Sequence, residues 1–196
     1  MGLLSLAAAA AIEAVVLEPG YGMGFNGSIT VEYRPVVLYA DGRYTTDAAG
    51  ALKPAPRIDG RWQRSGGGWR LKGSDGKTTE LEAKLQARPA PPGTPLEGVY
   101  RSVGGVGAAG TGVAVVATAQ SLLFSRDGTV REDRAAGTAA KASRHQAAGR
   151  YRVEGWTLTI TGDDGRADTR LLYLFPDGDG ALGWGDATLS RRKGAP

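Results

Sequence analysis

The stretch from residue 149 to residue 175, GRYRVEGWTLTITGDDGRADTRLLYLF, constrains the fold more than any other part of the chain. Apolar Trp156, Leu158 and Ile160 alternate with threonines, and this period of two places apolar side chains on one face of a β-strand. Two short segments, the Glu-Gly pair at 154–155 and the run 162–165, interrupt the alternation with residues that suit a hairpin turn. The stretch therefore predicts three antiparallel strands in sequential order.

The landmarks of this stretch and of the residues before it also occur earlier in the chain, at spacings of 86 to 89 residues. So many landmarks in one order at nearly one spacing favour an internal duplication. The chain is therefore expected to be all-β, with two tandem antiparallel meander repeats that form either two small barrels or one shared larger barrel or sandwich. The matched landmarks are Asp41-Gly42 with Asp127-Gly128, Gly60 with Gly149, Trp69 with Trp156, and Asp75-Gly76 with Asp164-Gly165.

A proline-rich connector divides the chain. Residues 87–95 carry four of the ten prolines, which makes this segment stiff and the best boundary in the sequence. It separates a first β repeat at 12–86 from a second at 96–196. Only the second repeat has a closing strand, predicted within 181–192, and its alanine-rich segment at 135–148 is expected to be a surface loop.

The first strand of the first repeat is expected to begin at Ile12 and to stop at Pro19-Gly20. Proline lacks the N–H that a strand ladder uses, and the glycines that follow, in the run 20–27, suit a loop.

The N-terminal residues 1–11, MGLLSLAAAAA, are apolar and small, and no charge precedes Glu13. A transmembrane helix needs about 20 apolar residues, so this run predicts no membrane span. It is similar to the second half of a secretory signal, although the basic segment that opens such a signal is missing. We expect a leader or signal remnant and export to the periplasm or the exterior. The alternative is a helical leader on a cytoplasmic protein.

Charge and cysteine content exclude several function classes. The net charge is +4, with 24 basic and 20 acidic residues, and no segment is basic enough to predict a nucleic-acid partner. The absence of cysteine excludes disulfides, a thiolate nucleophile and a thiolate metal site.

The sequence also gives no motif for catalysis or for a cofactor. Residues 105–110 match GxGxxG, but β-like residues follow where a dinucleotide site needs a helix. His145, the single histidine, lies in the alanine-rich segment without a partner to orient it. The aspartates of the turns lack the spacing of a calcium loop. We therefore predict no enzyme activity, no cofactor and no metal.

The second repeat resembles small bacterial lipocalin-like domains. The resemblance covers residues 96–192 and, more loosely, 12–86. It implies an up-and-down β-barrel of the calycin kind, often secreted, and it implies no catalytic residue. The motifs that carry it are LEGVY at 96–100, LLFSRDG at 122–128, GRY at 149–151 with Trp156 behind it, the Asp164-Gly165 hairpin, and TLSRR at 188–192.

The aromatic residues of the second repeat are the remaining candidates for a site. They can fill the core, which is the favoured interpretation, or line a pocket for a small apolar ligand. We expect a non-enzymatic structural or interaction protein of the bacterial envelope or exterior, with an unidentified protein partner. The alternative is a carrier of a small apolar ligand, and the third hypothesis is a carboxylate-based hydrolase. The candidate ligand-binding residues are Phe124, Tyr151, Trp156 and Tyr173.

Overall fold

The computed structural model describes residues 11–23, 29–106, 116–138, 141–178 and 180–192. These residues form strands joined by turns and loops, so the all-β prediction is confirmed. The single helix among them is a 3-10 turn at Ala83–Leu85. The strands are β1 (Ile12–Met23), β2 (Ile29–Tyr39), β3 (Arg43–Thr45), β4 (Gly60–Ser65), β5 (Gly68–Gly73), β6 (Thr78–Glu82), β7 (Gly98–Val106), β8 (Val116–Phe124), β9 (Thr129–Gly137), β10 (Ala142–Glu154), β11 (Thr157–Gly162), β12 (Ala167–Leu174), β13 (Leu182–Trp184) and β14 (Ala187–Arg191).

The chain divides into two compact units. Unit 1 comprises Met1–Pro89 together with Tyr173–Gly178, and unit 2 comprises Ala90–Leu172 together with Asp179–Pro196. The last residues of β12 are therefore counted with unit 1. The domain boundaries drawn from the sequence remain predictions.

Unit 1 contains a six-stranded antiparallel sheet in the sequential order β1 to β6. One face carries a core in which Val16, Leu38 and Trp69 are buried. The opposite face of β1 and β2 is buried in part as well, and Tyr39 lies there with its hydroxyl donating to the Ala51 carbonyl at 2.9 Å. Apolar residues therefore cover both faces of the inner halves of β1 and β2.

The predicted end of the first strand at Pro19-Gly20 is wrong, because β1 continues to Met23 and Pro19 pairs with Tyr33 of β2. β1 lies at the end of the strand order, and the Val15 carbonyl, in the same phase as Pro19, accepts from the Ala87 amide and so faces away from β2. The N–H that Pro19 lacks would also face away from β2, so its absence removes no hydrogen bond of the β1–β2 ladder. The predicted glycine loop at 20–27 lies partly in β1 and partly outside the described residues.

Unit 2 contains a closed barrel of eight strands, β7 to β14, in which each strand pairs with the next. The ring closes where β14 pairs with β7, through Ser190 with Arg101 and Arg191 with Tyr100. The predicted closing segment thus contains β13 and β14. The fold class is confirmed as all-β with two sheets, one of them a closed barrel.

The loop predicted at 135–148 is wrong, because residues 135–137 belong to β9 and residues 142–148 belong to β10. Their ladder runs without a break from Arg150 with Thr129 to Ala142 with Gly137. Backbone groups make these bonds whatever the side chain, and the many alanines of the segment conceal the period of two from which strands are recognised.

The two units share local turn geometry at their Asp-Gly pairs. Gly42 has a φ of 80° and Gly128 a φ of 84°, values that glycine adopts without strain. The amide of Trp62 donates to the Gly42 carbonyl, and the amide of Tyr151 donates to the Gly128 carbonyl, both at 2.8 Å. These turns agree with the duplication inferred from the sequence.

The strand register corrects one pair of landmarks. Trp69 pairs with Arg64 across the β4–β5 hairpin, and Leu158 pairs with Val153 across the β10–β11 hairpin. Both hairpins close with two-residue turns, so counting from the turns makes Leu158 the counterpart of Trp69. The predicted match with Trp156 is therefore wrong by two residues. Trp69 and Leu158 are both fully buried, whereas Trp156 lies in the turn.

Candidate functional site

Two of the four aromatic residues proposed from the sequence lie together in the barrel. Phe124 is buried, and its ring is edge-on to that of Tyr151, with the ring centroids 5.0 Å apart. Tyr173 is counted with unit 1 and packs against Phe175 at 5.8 Å. Trp156 is half-buried in the β10–β11 turn. The proposal that these four residues bind a ligand remains a prediction.

The hydroxyl of Tyr151 joins separate backbone segments. Its Oη accepts a hydrogen bond from the Leu96 amide at 2.9 Å, and it lies 2.8 Å from the Leu96 carbonyl and 3.0 Å from the Ser125 carbonyl. One proton can be donated to only one of these carbonyls at a time. Burial raises the pKa of this phenol, so it stays a neutral donor. The side chain of Tyr151 thus connects the backbone at Leu96 to the backbone at Ser125, at this end of the barrel.

The alternation along β8 separates an inner from an outer face. Leu122 and Phe124 are buried, whereas Leu123 between them is 39% exposed. The same phase places Gln120 on the inner face, and its partner Arg134 on β9 faces the same side. The barrel interior is therefore apolar near the Asp-Gly turn and polar toward the opposite ends of these strands.

We call this second region the polar half of the barrel. Strand alternation defines it on three strands. Gln120 faces the same side of β8 as the buried Leu122, Arg134 faces the same side of β9 as the buried Val130, and Arg170 of β12 pairs with the fully buried Leu158. The residues that make up the polar half are Ser102, Thr118, Gln120, Glu132, Arg134, Asp168 and Arg170.

One ion pair of the polar half lies on β9. Arg134 contacts the Glu132 carboxylate through its Nε, and the amide of Gln120 donates to the same carboxylate oxygen at 2.5 Å. The Glu132 side chain is 14% exposed and that of Arg134 is 43% exposed. Glu132 therefore lies deeper than its arginine and receives two donors at one oxygen.

A second ion pair lies on β12. Arg170 approaches Asp168 with two nitrogens, Nε at 3.1 Å from one carboxylate oxygen and Nη2 at 2.7 Å from the other. Its guanidinium carbon lies 4.4 Å from the centre of the buried Trp184 ring, the geometry of a cation–π contact. The Nε1 of Trp184 has no hydrogen-bond partner within the described part of the chain. Two contacts therefore fix the guanidinium of Arg170.

A cavity of about 310 Å³ lies in the polar half. Its polar lining consists of Ser102, Thr118, Gln120, Arg134 and Arg170. The rest of the lining is alanine, and these small side chains leave the space open. The carboxylates of Glu132 and Asp168 are not part of the lining.

The alternation of the sequence contains a signal for these charged residues that sequence reasoning did not use. Glu132 and Arg134 have the same parity as the buried Val130, and Asp168 and Arg170 have the parity that pairs with Ile160 and Leu158. Charged residues in the apolar phase of a strand face the interior. Apolar side chains usually occupy such positions, and for this reason the sequence favours the aromatic residues as the candidates for a site.

Unit 1 has a different surface feature, an apolar face on the outer half of the β1–β2 hairpin. Tyr21 and Val31 are cross-strand partners, 81% and 55% exposed, and Tyr33 is 37% exposed on the same face. A cleft of about 370 Å³ adjoins it, lined by Leu17, Tyr33 and Phe175 among others. We call Tyr21, Val31 and Tyr33 the hairpin face.

Other charged residues of unit 2 lie outside the polar half as we define it. On the outer face of the barrel Arg144 pairs with Asp133 and lowers the pKa of that carboxyl. His145 is exposed on β10. No group of three histidine, aspartate or glutamate side chains within the described ranges could hold a metal ion.

The described residues include no helix with the length and apolarity needed to span a membrane. Comparison of the chain with models of protein families, with curated proteins and with solved structures finds no match.

Proposed function

We propose that the protein is a non-enzymatic binding protein, and that its barrel takes up a small polar ligand in the polar half. The observation that carries this proposal is a set of charged side chains facing inward around a cavity of about 310 Å³. Small barrels usually fill their interior with side chains, so inward charges beside alanines favour a space kept for a ligand.

The proposal extends to the type of barrel, which we infer to be lipocalin-like. Eight strands in sequential order with closure between the last and the first are the arrangement of up-and-down barrels of that kind. The motifs at 96–100 and 188–192 that carry the resemblance fall at the two strands that close the ring. The sequence suggested an apolar ligand, and the polar lining favours a polar one.

A binding role is favoured over the hydrolase hypothesis by the partners of the inner carboxylates. Glu132 is paired with Arg134, and Asp168 is paired with Arg170. A general acid or base must exchange a proton with a substrate, and a carboxylate that is paired with a guanidinium and does not line the cavity is poorly placed for that role.

Filling the cavity tests the proposal. Ala136 lines it on the inner face of β9, and an Ala136→Phe variant would occupy the space. Ligand-observed NMR with a panel of small polar metabolites should detect at least one binder of the native protein. We expect its signal to be lost with the variant.

The matched control is Ala148→Phe, which adds the same ring on the outer face of β10, where Ala148 pairs with Arg131. Binding should survive this change. The proposal is wrong if no metabolite binds the native protein, or if both variants bind as the native protein does.

A second candidate function, an interaction module with an unidentified protein partner, is favoured by the hairpin face. Large apolar side chains exposed together mark contact surfaces more often than single exposed ones do. The two functions use different units and do not exclude each other.

We also propose that the protein acts in the periplasm or outside the cell, on the basis of the leader-like residues 1–11. N-terminal sequencing of the protein recovered from a bacterial periplasmic fraction should give a start within or just after the alanine run. Recovery of the intact leader from the cytoplasm would contradict this location.

A further inference from the structure

Within the polar half, the arginines and their carboxylates differ in whether they line the cavity. Arg134 and Arg170 both line the cavity, and Glu132 and Asp168 do not. The charged groups that a ligand in this cavity contacts are therefore guanidinium N–H donors, next to the side chains of Ser102 and Gln120. We propose that this cavity binds a small anion, a carboxylate or phosphoryl compound, through Arg134 and Arg170; the proposal rests on the ligand-binding function above.

The carboxylates position the guanidiniums in this arrangement. Asp168 engages Arg170 with both oxygens, while the Trp184 ring lies against the guanidinium, so that its plane is fixed. Two of the N–H groups of that fork serve Asp168, and the rest remain for a ligand. A rigid planar fork matches the two oxygens of a carboxylate or a phosphoryl group, which a mobile ammonium does not.

Arg134 is held in a similar way, with one difference. Its Nε is engaged by Glu132, whose carboxylate also accepts from Gln120. The two terminal Nη nitrogens of the guanidinium lie beyond Nε along the side chain and are therefore farther from this contact. The Arg134 side chain is 43% exposed, so it can meet a ligand that enters from solvent.

The charge at the cavity wall decides between an anion and a cation. Both guanidiniums line the cavity and neither carboxylate does, so a bound cation would contact like charges at short range, which disfavour binding. An anion meets charge-assisted donors, which form the stronger class of hydrogen bonds. The volume of about 310 Å³ is at the small end for ligand pockets and suits a compact molecule.

Isothermal titration calorimetry with four probes tests the class of ligand. Succinate, 1,4-butanediol and 1,4-diaminobutane share a four-carbon length and differ in charge, and inorganic phosphate separates phosphoryl from carboxylate recognition. At low ionic strength and up to about 10 mM, where even a weak site fills, we expect succinate or phosphate to bind and the diol and diamine not to bind.

Variants assign the binding to the two arginines. Arg134→Gln and Arg170→Gln should each lower the affinity for the bound anion by about tenfold or more, because each loses a charge-assisted contact. Arg131→Gln is the matched control, since Arg131 lies on the same strand on the outer face. It should bind within about twofold of the native protein. Native-like amide spectra of every variant exclude loss of fold.

Tryptophan emission gives an independent readout. Because Arg170 lies against Trp184, anion binding should change the emission of the native protein, and the change should disappear in Trp184→Phe while calorimetric binding persists. Equal binding of the diol, the diamine and the anions would overturn the anion proposal and leave ligand binding intact. The anion proposal would also be overturned, with ligand binding intact, if a neutral metabolite binds and none of the four probes does. An equal loss in Arg131→Gln and Arg134→Gln would show unspecific charge attraction and also overturn the proposal.

Discussion

Tyr151 combines an aromatic ring in the barrel core with a hydroxyl that reaches two backbone segments outside its own strand. The ring packs against Phe124, and Oη contacts the backbone of Leu96 and Ser125. These contacts join the segment before β7 to the Asp-Gly turn between β8 and β9. These contacts hold the Tyr151 side chain in place, which favours a structural role for this residue over contact with a ligand.

We expect Tyr151→Phe to lower the free energy of unfolding by about 1–3 kcal/mol, because the Leu96 amide loses its acceptor in a partly buried position. Urea denaturation followed by circular dichroism measures the change. Tyr21→Phe, at an 81% exposed position, is the control and should stay within about 0.5 kcal/mol of the native value. An equal effect of the two changes would show that the hydroxyl of Tyr151 contributes nothing specific.

Alternation in the sequence predicts which strand face a residue occupies, but it does not predict which polar contacts its side chain makes. Alternation placed Tyr151 and Phe124 on apolar faces, and burial supports that placement. It did not assign Arg134 or Arg170 to the interior, because charged side chains are expected in water unless partners compensate their burial. Those partners, Glu132 and Asp168, become visible only when strand register brings the side chains together.

At the scale of the strand, close backbone packing is the same in both units. A Cβ on Gly60 would lie 2.1 Å from the Lys72 carbonyl oxygen, and a Cβ on Gly149 would lie 2.2 Å from the Thr161 carbonyl oxygen. Both glycines lie opposite a glycine of the next strand, since Gly60 pairs with Gly73 and Gly149 with Gly162. Neither glycine can be replaced without movement of the backbone.

Gly149→Ala is therefore expected to destabilise the barrel by about 1–3 kcal/mol, the usual result of overpacking. Gly67→Ala is a suitable control because nothing lies within 4 Å of its added Cβ and its φ is not positive. It should be neutral or slightly stabilising, since alanine restricts the unfolded chain. Thermal unfolding of both variants measures the difference, and equal melting temperatures would contradict the expectation.

The elements were predictable from sequence where turns and alternation agreed. The Asp-Gly turns at 41–42 and 127–128 lie where the pattern placed them, and so do the strands of 149–175, except that Trp156 belongs to the turn between β10 and β11. The hairpin of β9 and β10 was missed because alanine has little β-propensity and gives weak contrast between faces. The ladder between these strands consists of backbone hydrogen bonds, and the pattern of side chains along one segment does not predict them.

At the scale of the whole molecule, the outer half of the β1–β2 hairpin exposes large apolar side chains to solvent. Within the described residues β3 pairs only with Val37 and Leu38 of β2, so the outer part is a two-stranded ribbon with open edges. Its hairpin face carries Tyr21 and Val31, whereas the opposite face carries Glu32. Isolated ribbons of this kind are marginally stable in water, which favours a partner on the apolar side.

A second copy of the chain is the partner that can be tested with the protein alone. We expect sedimentation velocity to show concentration-dependent association, and Tyr21→Lys combined with Val31→Lys to abolish it by placing charges on the contact face. Glu32→Lys changes the charge of the opposite face and should leave association unchanged. A monomer at every concentration would exclude a second copy as the partner.

The division of β12 between the two units has a consequence for protein synthesis. Unit 1 includes Tyr173–Gly178, which the ribosome adds after most of the barrel strands. Domains generally fold in the order in which they are translated, but here the N-terminal unit lacks its last segment until the chain is almost complete. All six strands of the first sheet precede this segment, so we expect unit 1 to lack only its last contacts while β7 to β11 emerge. A ribosome stalled before Tyr173 should therefore carry an N-terminal unit that is still sensitive to protease.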